Sequence, residues 1–155
     1  MGKFEIRVKG RLENVRMIEF PQDFRWFFTI SCGNCREMYP KEVYLVAGEV
    51  MEAFGSRGSF NFVSKCRFCD SLGTLSFDGR LGGYEDSEEE KRVGCLEARG
   101  VKVHEWVLNS GFGVISESGK VFEDVRLDEG DWVEYDDSGE YLIGVYEVAT
   151  SVCQC

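Results

Sequence analysis

Two cysteine pairs, Cys32-Gly33-Asn34-Cys35 and Cys66-Arg67-Phe68-Cys69, constrain this chain more than any other feature. Two residues between cysteines let a tight turn aim both thiolates at one ion, and two such turns supply the four ligands of tetrahedral zinc at about 2.3 Å each. Seven cysteines scattered over 155 positions would by chance give only roughly 0.3 pairs at this spacing. The count is odd and Met1-Gly2-Lys3-Phe4-Glu5 lacks the basic and apolar regions of a secretion signal, so thiols in a reducing compartment are expected rather than a disulfide framework. One zinc per chain held by Cys32, Cys35, Cys66 and Cys69 is the resulting expectation. Four cysteines close the coordination shell and leave no position for a reacting water, so the zinc is expected to be structural.

The rest of the composition narrows the function. Eighteen basic against 28 acidic residues leave a net charge of −10, which repels a phosphate backbone, so nucleic acid is not expected as a partner. A single histidine, His104, excludes paired-histidine metal centres and most histidine-relay hydrolases. No apolar run reaches the roughly 18 residues of a membrane helix, so a cytoplasmic protein without membrane attachment is expected.

The pattern along the chain is that of strands. Phe4 to Val8, Lys102 to Trp106 and Val121 to Val125 alternate apolar and polar residues, as a strand with one wet face does. Trp26 to Ile30, Phe60 to Val63, Thr74 to Phe77 and Tyr141 to Val148 are further candidates, punctuated by Asp78-Gly79, Ser118-Gly119 and Ser138-Gly139. The segment Val43 to Phe54 reads equally as helix or strand. The reading is an all-β fold of mostly antiparallel short strands, about eight to ten in number. The acidic stretch 82–92 reads as a solvated linker between a first half, 1–81, and a second half, 93–152, with a frayed tail at 153–155. Faint echoes join the halves: Ile30-Ser31-Cys32 with Ile115-Ser116-Glu117, and Leu72 to Phe77 with Ile143 to Val148. A duplication would mean that the second copy exchanged cysteine turns for Ser-Gly turns and lost the metal.

Around the cysteines, Arg36, Lys65 and Arg67 could offset the net charge of about −2 on a zinc tetrathiolate, and Gly33 could take a positive φ. Cys95 is expected as a small buried strand residue; the competing reading makes it, or a C-x-x-C pair, the working thiol of an oxidoreductase. Cys153 and Cys155 could hold a soft ion but lie at a chain end. His104 falls in an alternating run and is expected to be a half-buried strand residue. Arg57-Gly58-Ser59 reads as a tight turn rather than an anion site. The acids from Asp128 to Asp137 lack the spacing of a twelve-residue calcium loop and are expected to form a solvated edge.

These residues resemble the eukaryotic CXXC motif-containing zinc-binding protein family. The likeness runs through Leu12-Glu13-Asn14-Val15, Asp23-Phe24-Arg25-Trp26, both cysteine pairs, Arg57-Gly58-Ser59, Arg99-Gly100, Gly111-Phe112 and Asp131-Trp132-Val133-Glu134-Tyr135-Asp136. It implies a β protein of two similar halves with one zinc in the first half, and no established enzymatic activity. The family pattern has a cysteine just before the Arg-Gly where this chain has Ala98, which weakens a cysteine-enzyme reading. The expectation is a non-enzymatic, monomeric, cytosolic zinc-binding protein whose folded surface serves to bind another protein.

Overall fold

A computed structural model describes residues 2–53, 55 and 57–155. Met1 of the stretch Met1-Gly2-Lys3-Phe4-Glu5 and Phe54, the last residue of the ambiguous segment, lie outside them. The described residues form twelve strands and no helix: β1 Gly2–Glu13, β2 Val15–Glu19, β3 Arg25–Cys32, β4 Val43–Val46, β5 Phe62–Lys65, β6 Leu72–Phe77, β7 Lys91–Arg99, β8 Val101–Val107, β9 Phe112–Ser116, β10 Val121–Val125, β11 Trp132–Tyr135 and β12 Leu142–Gln154. They build a six-stranded sheet, β11-β12-β1-β7-β6-β5, and two three-stranded sheets, β10-β9-β2 and β4-β3-β8. Every named strand pair is antiparallel.

Adding six to each strand number in the first half maps this arrangement onto itself. β1 and β7 meet at the centre of the large sheet, each flanked on its other side by the hairpin that ends the opposite half: β12 and β11 beside β1, β6 and β5 beside β7. β2 leaves its half to pair with β9, and β8 leaves its half to pair with β3. The two halves are thus interlaced rather than placed end to end.

Alternation explains which residues meet inside. Phe4, Ile6 and Val8 of β1 are buried while Lys3, Glu5, Arg7 and Lys9 face outward. Between the sheets the aromatic residues form one block: Trp26 packs edge-on against Phe24 at 5.1 Å between ring centroids and lies 5.1 Å from Trp106, while Phe24 meets Phe112 at 4.7 Å. Such pairs contribute about 0.5–1.5 kcal/mol each beyond the area they bury.

Several boundaries differ from those expected, each for a physical reason. β1 continues past Val8 because Gly10 sits at a bulge between Lys9 and Arg11 rather than ending the strand. Among the described residues of the segment from Val43, only Val43–Val46 forms a strand, paired with Arg25 to Phe28. The C-terminus does not fray: Cys153 and Gln154 pair with Glu5 and Phe4, and Cys155 N–H donates to the Lys3 carbonyl at 2.9 Å, because β1 reaches back far enough to offer them partners. The acidic stretch is exposed as expected, but Tyr84 within it is fully buried. Its backbone exchanges hydrogen bonds with Ile18 at 2.8 Å. Its hydroxyl accepts from Gly10 N–H and lies 2.6 Å from the carbonyls of both Asp86 and Glu89. The stretch is therefore a strap tied down at one residue, and β7 already begins at its end, at Lys91. Among the described residues no helix is long and apolar enough to cross a membrane.

Tyr84→Phe keeps the ring but removes the one O–H shared among those carbonyls and the acceptor of Gly10 N–H. We expect a loss of about 1–2 kcal/mol in denaturant unfolding, with faster amide hydrogen exchange concentrated at the strap and at Gly10.

Candidate metal centre

Each cysteine pair occupies the turn of a β-hairpin. β3 ends at Cys32, where the chain turns through Cys35 and returns toward β4; β5 ends just before Cys66, and the turn through Cys69 leads into β6. The two turns share one hydrogen-bond plan. Cys32 and Cys66 accept at their carbonyls from Arg36 N–H at 3.0 Å and Asp70 N–H at 2.9 Å, and donate their own N–H groups to Glu37 and Ser71 at 2.9 Å each. Arg36 and Asp70, one residue past each second cysteine, take the left-handed conformation, with φ of 66° and 63°. Gly33 is not the left-handed residue. It serves close approach instead: its N–H donates to Gly100 O at 2.8 Å, and a Cβ would crowd the Gly100 carbonyl at 3.2 Å.

These turns bring four sulfurs together. Cys32 and Cys69 approach to 3.6 Å between Sγ atoms, as do Cys35 and Cys66, and all four lie within 4.8 Å of one another. A tetrahedron with 2.3 Å Zn–S bonds has edges of about 3.8 Å, so the cluster has the dimensions of a closed tetrathiolate. Cys32 and Cys66 are buried and Cys35 and Cys69 half-buried. Donors to sulfur come from the turns themselves: Asn34 N–H to Cys32 and Phe68 N–H to Cys66, both at 3.4 Å, and the Asn34 amide to Cys69 at 3.6 Å. The Ser71 hydroxyl is 3.1 Å from Cys69 Sγ and donates to it once it is a thiolate.

The charge in this cluster is uneven when the thiols carry it alone. The Ser71 hydroxyl and backbone, aided by Asn34, pull Cys69 down to about 5. The Glu37 backbone favours the Cys35 thiolate, but burial and the three neighbouring sulfurs outweigh it and push Cys35 up to about 12. A divalent cation removes that conflict by taking the place of the protons.

The expected basic neighbours do not reach the cluster. Arg36, Lys65 and Arg67 are exposed, none donates to a sulfur, and the Arg67 guanidinium lies over the Phe68 ring, 5.5 Å from its centroid. Asn34 and Ser71 hold the positions that sequence reasoning assigned to those cations. The signal was present, since Asn34 lies inside the first pair and Ser71 two residues past the second. His104 is a half-buried strand residue as expected, with Nε2 2.8 Å from Ser31 Oγ. Cys95 lies in mid-strand in β7, 4 % exposed, and burial raises its pKa. Ala98, also in β7, is 1 % exposed. Gly58 has φ 102° with nothing within 4 Å of a Cβ, an open turn. The acids from Asp128 onward serve local structure: Asp128 pairs with Arg126 at 2.9 Å, Asp131 accepts from Glu147 N–H, and Asp136 from Glu140 N–H. Among the described residues the four cysteines are the one group of three or more potential ligands that converges.

In the second half the corresponding turns are β9–β10 and β11–β12, and they too are joined. The Lys120 ammonium, on the first turn, pairs with the Asp137 carboxylate on the second. An ion pair there occupies the place that the sulfur cluster has in the first half.

Residues 5–152 match the sequence profile of the eukaryotic CXXC motif containing zinc binding protein. The chain belongs to this zinc-binding family. The Bos taurus CXXC motif containing zinc binding protein is 36 % identical over 160 residues, and the Homo sapiens protein of the same name 34 %, each match covering 100 % of both chains. The crystal structure of C1orf123 superposes with a TM-score of 0.89 at 31 % identity, covering 99 % of this chain and 100 % of the other. A hypothetical protein from Plasmodium falciparum has the same fold, with a TM-score of 0.89 at 24 % identity over 98 % of this chain and 99 % of its own. In this family member the sulfur cluster is the feature that fits zinc.

Native alkylation separates the remaining thiols. With the protein folded, iodoacetamide should label the exposed Cys153 and Cys155 first, while Cys95 reacts only after denaturation, as read by peptide mass spectrometry.

Proposed function

We propose that Cys32, Cys35, Cys66 and Cys69 ligate one zinc ion per chain and that this zinc is a structural staple in a non-enzymatic, protein-binding domain. The observation that carries the reading is the closed set of four mutually close sulfurs, each pair set by an identical turn and hydrogen-bonded by its own backbone. Such a site has no open coordination position at which a substrate or water could be activated. It joins the hairpin turn of one sheet to that of another, which is where a staple is mechanically useful. The six-strand repeat fits an internal duplication whose second copy carries the Lys120–Asp137 pair instead of the metal. A monomeric cytosolic protein that acts by binding another protein is consistent with the acidic surface and the reduced cysteines.

The thiol-oxidoreductase alternative finds less support. Cys95 is buried in the middle of β7, and burial disfavours its thiolate. The two C-x-x-C pairs spend their thiols on each other, in hairpin turns and not at a helix N-terminus.

Elemental mass spectrometry on untagged protein should find about one zinc per chain, and Cys66→Ser should retain little of it. Removing the metal with a strong chelator should lower the melting temperature and loosen β3 to β6. Acidification should release zinc as protons compete for the thiolates. A parent that holds no zinc yet is fully folded and stable would overturn the staple.

A further inference from the structure

The halves leave a cleft of about 670 Å³ where the β2–β3 and β8–β9 turns, which correspond under the six-strand repeat, come together. That volume is within the ~300–1,000 Å³ of ligand clefts, and junctions between structural units are where such clefts tend to form. Pro21, Phe24 and Phe27 supply apolar wall. Beneath it, the Phe24, Trp26 and Phe112 rings are packed at 4.7–5.1 Å, so the cleft is shaped by a rigid block and not by mobile chain.

Its charge is one-sided. Glu19, Asp23, Glu123 and Asp124 line it, and among the described residues none of the four forms an ion pair with a lysine or arginine. The single cation on the wall, Arg25, lies over the Tyr44 ring, 5.0 Å from its centroid. Two of the carboxylates are there because of a bulge: Phe122 pairs with Val114 and Val125 with Phe112, so Glu123 and Asp124 together face Gly113 alone. Gly113 also makes room for Glu19, whose Cγ would stand 2.7 Å from a Cβ at that position. Carboxylates brought from three elements to one concave, partly apolar place focus negative potential outward. They do not converge on a point, since no three of their oxygens gather closely enough to chelate an ion. Spread charge over an apolar wall suits an extended partner with several cations better than a single metal ion.

The geometry points to this cleft as the docking site for a basic peptide segment of a partner protein, one that sets arginine or lysine side chains against Glu19, Asp23, Glu123 and Asp124 and an apolar side chain against Phe27. This rests on the reading of the fold as a protein-binding domain and gives the partner its chemistry.

The probe is a short fluorescein-labelled peptide of alternating arginine and leucine, with glutamine for arginine in its counterpart, titrated by fluorescence anisotropy at low and physiological salt. The triple variant Glu19→Gln/Glu123→Gln/Asp124→Asn is compared with Glu85→Gln/Glu88→Gln/Glu89→Gln, which removes equal charge from the strap. We expect the arginine peptide alone to bind. Affinity should fall about tenfold or more in the cleft variant and less than about twofold in the strap variant, with amide shifts gathered at Phe27, Ser110 and Asp124. Equal losses in the two variants, or no binding by the parent, overturn the proposal. A second readout separates it from the reading beneath: a partner that copurifies equally with parent and cleft variant keeps the protein-binding role and removes the cleft from it. Absence of any partner on the parent removes the role itself.

Discussion

The antiparallel pairing of β1 with β7 at the centre of the six-stranded sheet is the contact on which the rest of the structure depends. It sets the two halves back to back, and from there β2 and β8 can each cross to the other half. Without β8, β3 and β4 would be a bare hairpin; without β2, so would β9 and β10. A two-stranded hairpin is marginal in water, and a third strand with a buried face is what makes it stable. Neither half can therefore fold by itself, and the aromatic block of Trp26, Phe24, Trp106 and Phe112 forms only when strands distant in sequence have met.

Within that shared frame each half must still pin one hairpin turn to another. In the proposed staple the first half does so with zinc held by sulfur and the second with the Lys120–Asp137 pair. The difference follows from the connections. Between β4 and β5, the described residues among 47–61 contain only the isolated bridge of Met51 with Phe60, whereas β10 and β11 are joined by the short run from Arg126 to Asp131. A long irregular connection leaves more freedom to be removed on folding. An exposed ion pair supplies only about 0–1 kcal/mol, while structural zinc binding releases on the order of 10–16 kcal/mol. On that proposal the stronger staple sits where the chain is less able to hold itself.

The same interlacing gives the surface its character. Because the β2–β3 and β8–β9 turns correspond, they meet at the junction of the halves and leave a cleft over the aromatic block. The β10 bulge then turns two carboxylates toward it. The metal centre and the cleft are separate products of one topology. The first gathers four sulfurs, two of them buried, into the dimensions of one ion; the second spreads carboxylates over a concave, partly apolar wall.

Much of this was legible in the sequence. The four cysteine positions, the β alternation of Phe4 to Val8 and Lys102 to Trp106, and the solvated character of the acidic stretch are local properties, set by ligand spacing, side-chain period and charge. Other features were not legible because they depend on contacts far apart in the chain. Gly10 lies just past the alternating run of Phe4 to Val8 and Tyr84 reads as part of a linker, yet they touch across 74 residues as a bulge and the anchor beside it. Arg36, Lys65 and Arg67 were the evident neighbours for sulfur by charge, but the turn geometry points their side chains outward and gives the work to Asn34 and Ser71. Sequence by itself determined the chemistry of the zinc-binding site and the class of fold, since both follow from residue type at short spacing. Only the tertiary structure decided that the halves interlace, which turns face each other and where unpaired carboxylates gather, because register and strand exchange are chosen by burial summed over the whole chain.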